Sequence, residues 1–296
     1  MGLNLMRDHD EGVLPMFLLP GMDGARWPTG ENDRRPSQGY EGALVGRRFA
    51  TSVTMGVAPQ GLKKRGAAPS MLPFRDRREA GRLLAARLRR YKERAQTVVL
   101  GLPRGGVVPA AEIASALRLP LDVIISRKLG APGNPELAVG AIAEGGAPYF
   151  NPQALTFTDA SKAHVAQEVE HQRAEIARRQ QRFRDGRPLS LPERATIILV
   201  DDGVATGSTA IAAIRALRAQ EISRLVFAIP VAPPDTVELL RGMVDELVVL
   251  ATPMLFWAVG AFYEDFQQVS DDEVVQLLTH ARTQGRGAEA QRPAQA

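Results

Sequence analysis

The chain of 296 residues has no cysteine, which removes disulfide frameworks, thiolate metal sites and cysteine nucleophiles together. Its four histidines, His9, His164, His171 and His280, are scattered without metal-ligand spacing, so a histidine-based metal or Ser-His-Asp centre is not expected. Aromatic residues are only 5% of the chain, and no Lys/Arg run is interleaved with them, which speaks against single-strand nucleic-acid binding. Lysine is also scarce, five against 32 arginines in a net charge of +4. Such a bias reflects composition more than a nucleic-acid surface, and the small positive excess suits a polyanionic small ligand. No GxxxxGK[ST] is present, which argues against a nucleoside-triphosphate loop.

Long apolar runs are missing too. Leu247 to Tyr263 is free of charge for 17 residues, the bottom of the range for a membrane span. Pro253 and Gly260 interrupt it and Glu246 and Glu264 bound it, so a buried strand followed by an apolar loop is expected. The opening MGLNLMRDHDE mixes charges, and Pro15 and Pro20 break the apolar piece behind it. That is no secretory pattern, and a cytoplasmic location is expected.

What is present is ordinary for a globular protein, 45% apolar and 24% charged. Residues 1–70 stand apart with 11 glycines and 6 prolines and no sustained period, so they read as a disordered N-terminal extension. The style changes at Met71, a candidate initiator. Asp76 and Glu79 form a capping-box pattern ahead of a helix that places Leu84, Leu88 and Tyr91 on one face. Beyond it, strands at Thr97–Leu102, Leu121–Ser126, Ala195–Val200, Arg224–Ile229 and Glu246–Ala251 alternate with helices at Val107–Leu117, Thr209–Ala219, Thr236–Arg241 and from Asp271. A short strand is expected at Leu137–Ile142 and a polar helix over 159–184, whose stripe of Val165, Val169, Ile176 and Phe183 would meet the sheet or a second subunit. Alternation of this kind predicts an α/β fold on a parallel sheet, with a domain over 71–280 and a flexible tail over 281–296.

The sharpest signal is ATIILVDDGVATGSTA, residues 195–210. A buried strand delivers Asp201 and Asp202 at its carboxyl end, followed by a small-residue loop and a helix. Ligands of open α/β sheets bind there. Ala205, Thr206, Gly207, Ser208 and Thr209 offer backbone N–H groups, hydroxyls and a helix N-terminus to a phosphate, while two acids suit the hydroxyls of a sugar diol. Together they ask for a ribose 5-phosphate.

VDDGVATGST resembles the phosphoribosyl-diphosphate signature of type I phosphoribosyltransferases. GLPRGGVVPAAEIASAL, residues 101–117, is similar to that family's pyrophosphate loop, and the two motifs occur in the family's order. The resemblance covers about residues 71–280. It implies a parallel sheet flanked by helices, with a flexible loop and a small C-terminal hood. It further implies transfer of 5-phosphoribosyl from phosphoribosyl diphosphate to a nitrogenous base, as in nucleotide salvage, with Mg2+ as cofactor. By position, Asp201 and Asp202 would hold the ribose hydroxyls and residues 205–209 the 5-phosphate. Arg104, Gly105 and Gly106 would contact pyrophosphate in a loop that often holds a non-proline cis peptide in relatives. Arg127 and Lys128 resemble a pair that reaches the diphosphate, with Lys128 counted among the catalytic groups beside the two acids. Residues 129–147 would form the mobile lid, and Pro253–Tyr263, with Phe256, Trp257, Phe262 and Tyr263, the hood over the base. The expected partners are phosphoribosyl diphosphate and a small base, without nucleic acid or membrane; a homodimer is left open.

One departure concerns chemistry. The 6-oxopurine enzymes carry an acid three residues after the second acid; here that position is Ala205, closer to the adenine-specific pattern. Glu136 and Glu144 are the candidate proton-transfer groups. A phosphoribosyltransferase-fold regulator or binding protein without turnover stands as the alternative.

Overall fold

The computed structural model describes residues 72–158 and 160–290; the expectations for residues 1–70, for Met71 and for residues 291–296 lie outside them. Helix α1 (Arg77–Arg87) starts at Asp76, whose side chain accepts from Glu79 N at 2.7 Å, a cap worth about 1 kcal/mol. Glu79 reaches back to Arg75 N, closing the box one residue earlier than the pattern implies. Strand β1 (Thr97–Gly101), helix α2 (Val107–Leu117) and strand β2 (Leu121–Val123) follow. Strand β6 (Thr196–Val200), helix α5 (Ser208–Arg218), strand β7 (Arg224–Val231), helix α6 (Pro234–Arg241) and strand β8 (Glu246–Ala251) complete the main sheet.

That sheet is parallel throughout, in the order β2-β1-β6-β7-β8. Every residue of β1 and β6 is buried, as the unbroken apolar strands TVVLG and TIILV require when helices cover both faces. One face packs Val99, Ile198 and Val226 against Leu84, Ile113 and Val274. The other packs Leu100, Leu199 and Phe227 against Ile211, Ile214 and Leu217. Each fully buried aliphatic side chain stabilises the fold by about 1.5–3 kcal/mol. The chain leaves β1 toward β2 and returns as β6 on its other side, so the strand order reverses between β1 and β6. A crevice therefore opens beyond their carboxyl ends.

A second sheet is antiparallel and was not foreseen in this form. The expected strand at 121–126 ends at Val123; Ser126 instead begins β3 (Ser126–Ala131), which pairs with β4 (Asn134–Ala143), itself paired with β5 (Tyr149–Phe150). Residues 129–147, read as a lid loop, are thus largely a hairpin. Its turn sets Pro132 ahead of Gly133 at φ +69°, the sequence chemistry of a type II turn. At a register shift around Gly130 the ladder breaks. The freed groups are taken by α4 (Lys162–Arg184): Glu168 accepts from Gly130 N at 3.1 Å, and His164 Nε2 lies 3.0 Å from Gly130 O.

A short helix, α3 (Pro152–Phe157), precedes α4, which starts at a Ser161 cap, later than the expected 159. Its stripe of Val165, Val169, Ile176 and Phe183 is buried within this chain, so no second copy is needed to cover it. Helix α7 (Asp271–Ala290) runs past Ala281, making the first ten residues of the expected tail helical. The uncharged stretch is a strand plus loop, but β8 is half-buried rather than buried because it lies at the edge of the sheet, and the loop includes a 3-10 turn at Val259–Phe262. No helix among the described residues is long and apolar enough to cross a membrane.

Candidate functional site

The loops after β1 and β6 are neighbours because their strands pair Gly101 with Val200. Their approach is closer than any side chain would permit. A Cβ on Gly105 would lie 2.0 Å from Asp202 Oδ2, and one on Gly106 would lie 2.7 Å from Val200 O and 2.8 Å from Asp201 Cα. Gly106 is therefore required by the main chain at the end of β6, and Gly105 by the Asp202 carboxyl where Arg77 holds it. The peptide between Pro103 and Arg104 is cis, the feature that the resemblance names.

Asp201 and Asp202 are half-buried. Asp201 Oδ1 accepts from Asp202 N at 2.9 Å. Burial, and secondly the Asp202 charge, push the Asp201 carboxyl well above the ordinary carboxylate range. Asp202 is anchored through its carbonyl, which accepts from Tyr263 Oη at 2.5 Å, and through Oδ2, which accepts from Arg77 Nε at 2.6 Å. Burial and then the Asp202 charge raise the Tyr263 phenol, so it stays a donor.

Beyond the acids, Ala205 and Thr206 are exposed and Ser208 is buried. Gly207, at φ +79°, is the N-cap of α5, and no side chain caps that helix. The left-handed turn suits glycine. The uncapped terminus, behind the exposed Ala205 and Thr206 and outside the lining of the cleft at Arg104, Gly105 and Asp202, carries the partial positive charge that anions favour. Thr206 Oγ1 lies 3.4 Å from Ser208 Oγ, while Thr236 Oγ1 holds Ala205 O at 2.6 Å.

Arg77, Arg104, Gly105, Asp202, Phe266, Gln268 and Val269 line an open cleft of about 340 Å³. Of the residues singled out by sequence, Arg104, Gly105 and Asp202 line it directly, with Gly106 and Asp201 packed behind them. Arg77 and the Phe266–Val269 segment were missed. Arg77 carried one signal: a cation in the first turn of α1 opposes the helix dipole and so needs a partner elsewhere.

Arg127 donates to Gln172 Oε1 at 2.9 Å. Burial, then the neighbouring Arg179 and more weakly Arg104, lower its proton affinity, so three guanidinium groups share one field. Lys128, next along β3, is exposed on the opposite face of the strand, and neither it nor Arg127 is part of the cleft lining. Trp257 is 88% exposed and lines no part of the cleft. The rest of the hood is a small cluster in which Phe74 pairs with Tyr263 and Phe256 with Phe262. The cleft's own ring is Phe266.

Glu144 is not available for proton transfer. It is 5% exposed, ion-paired to Arg184, and accepts from Ile125 N and Gln180 Nε2. Glu136 falls in β4, its side chain outside what the structure describes. Among the described residues no group of three or more potential ligands could hold a metal ion. The two acids fit magnesium only as minor donors, with most of its oxygens coming from a bound diphosphate and water.

The same geometry has relatives. Residues 76–265 match the phosphoribosyl transferase domain family. The "Putative phosphoribosyl transferase" of Mycobacterium tuberculosis H37Rv is 48% identical over 209 residues, 70% of this chain and 47% of its own, and the protein of strain CDC 1551 matches equally. The chain thus spans about half the length of these curated relatives. The crystal structure of TT1426 from Thermus thermophilus is 44% identical, with a TM-score of 0.60 over 71% of this chain and 99% of that one. The match across most of the described fold, with both loops of the cleft inside it, establishes that the chain belongs to the phosphoribosyl transferase domain family.

Proposed function

We propose that the protein is a phosphoribosyltransferase acting on phosphoribosyl diphosphate and a nitrogenous base. The observation that carries this reading is the interlock of the two loops at the switch point, with Asp202 seated in the space left by Gly105. In this reading Asp201 and Asp202 accept hydrogen bonds from the ribose hydroxyls. The 5-phosphate lies on the N–H groups and hydroxyls of residues 205–209 at the start of α5. Arg104, Gly105 and Gly106 receive the diphosphate, with Arg127 adding to the field. Lys128, exposed on β3, would reach the diphosphate from outside the cleft lining.

The bond from the anomeric carbon to the diphosphate oxygen breaks, and its electron pair leaves with pyrophosphate. The lone pair of a ring nitrogen forms the new bond at the opposite face, and the proton of that nitrogen passes to water. The chain's work is positioning, stabilising charge on the leaving group and excluding water. Magnesium bound on the diphosphate would neutralise part of that charge.

Ala205 in place of an acid, and Glu144 locked on Arg184, favour as second reading a binding protein without turnover. One assay separates the two: pyrophosphate release from phosphoribosyl diphosphate and Mg2+ over a panel of nucleobases. Release with at least one base is expected. Tight binding without release across the panel would give the second reading, and neither binding nor release would refute both.

A further inference from the structure

Arg77 belongs to the first helix, 125 residues before Asp202, yet its Nε lies 2.6 Å from Asp202 Oδ2. The side chains of the pair are only 10% and 14% exposed. The guanidinium is fixed on two further sides: Nη1 donates to Gln267 O at 2.8 Å, and its carbon lies 3.6 Å from the centre of the Phe266 ring. Phe266 in turn leans on Tyr263, ring centres 5.0 Å apart, and Tyr263 holds the Asp202 carbonyl. A closed circuit of contacts thus runs from Arg77 through Phe266 and Tyr263 to Asp202. The main chain delivers α1 to this place, since Phe74 N donates to Phe262 O and Glu264 N to Phe74 O.

We infer that Arg77 is a positioning residue for the ribose subsite: it holds one oxygen of Asp202 and so presents the other to the sugar diol. The inference rests on the phosphoribosyl reading of the cleft. Two adjacent half-buried carboxylates repel each other, and a guanidinium hydrogen-bonded to one of them offsets that repulsion and holds the carboxylate in place. The planar fork of arginine can satisfy an acid, a carbonyl and a ring face at once, which a lysine ammonium cannot. Because Arg77 acts through Asp202, its loss should weaken ligands that contain ribose and spare one that does not.

The test is calorimetric titration of wild type, Arg77→Gln and Arg77→Lys with phosphoribosyl diphosphate, ribose 5-phosphate and inorganic pyrophosphate, each with Mg2+. Arg77→Gln should weaken both ribose ligands roughly tenfold or more and leave pyrophosphate unchanged; Arg77→Lys should recover part of the loss. Equal affinities in wild type and Arg77→Gln overturn the inference. So does a pyrophosphate loss matching that of the ribose ligands, the mark of direct anion contact or general damage. If Arg77→Gln fails to melt cooperatively, Arg77→Lys carries the test with a smaller loss confined to the ribose ligands, and equal affinities there overturn it. Failure of wild type to bind phosphoribosyl diphosphate removes the functional reading and this inference with it, whereas wild-type binding with insensitive variants removes the inference alone.

Discussion

At Asp201 the site works against the fold. Burial and the adjacent Asp202 charge hold its proton more tightly in the folded protein than in the unfolded chain. Folding is therefore unpenalised below the ordinary aspartate range, about pH 3.9, and is increasingly penalised as the pH rises through the raised folded-state value. Asp201→Asn removes the charge and keeps an oxygen to accept from Asp202 N. Its melting temperature should exceed that of wild type at neutral pH, by on the order of 2–4 °C per kcal/mol of repulsion and desolvation relieved. The gap should close as the pH falls toward about 4. Thermal melts of both proteins across that range check it, and a variant no more stable than wild type at neutral pH contradicts it. Residues of this kind are legible in sequence when their chemistry is local. Asp201, Asp202 and Gly207 follow one another in a strand–loop–helix, and Gly105 and Gly106 open the next helix along the sheet. Arg77 could not be placed that way, because its meaning lies in a partner 125 positions away.

Among elements, the β3–β4 hairpin shows how a segment rich in glycine and proline can be ordered. Gly140 is buried, and a Cβ there would lie 2.2 Å from Tyr149 O, so glycine allows the close pairing of β4 with β5 rather than marking a loop. Composition alone reads such glycines as flexibility. The same blindness affects Glu144, a candidate proton-transfer group by its place in the expected lid. In the fold it pins the end of β4 to α4 through Arg184, both side chains 3% exposed, with Arg184 Nε and Nη1 lacking other partners. Glu144→Gln leaves that guanidinium uncompensated and should cost about 3 kcal/mol of stability, whereas Glu144→Leu with Arg184→Met should recover most of it. Urea denaturation of the single and double variants measures both. A neutral Glu144→Gln would show that the pair does not anchor the hairpin.

For the whole molecule, the alternation of strands and helices fixes the parallel sheet, and the strand order puts the crevice between β1 and β6. That much follows from periodicity, because β1 and β6 are apolar on both faces and need helices above and below. The hood was less legible. Its aromatic residues were visible, but not that Phe74 would pair into it, nor that Trp257 would face solvent. Hydrophobicity alone does not say which ring a distant strand will cover. The central claim is that a ribose 5-phosphate lies across Asp201 and Asp202 with its phosphate on residues 205–209. Calorimetric titration of phosphoribosyl diphosphate and Mg2+ into wild type and into Asp201→Asn/Asp202→Asn tests it most directly. The account predicts saturable binding by wild type and its loss in a double variant that still melts cooperatively; equal affinity in the two proteins would contradict it.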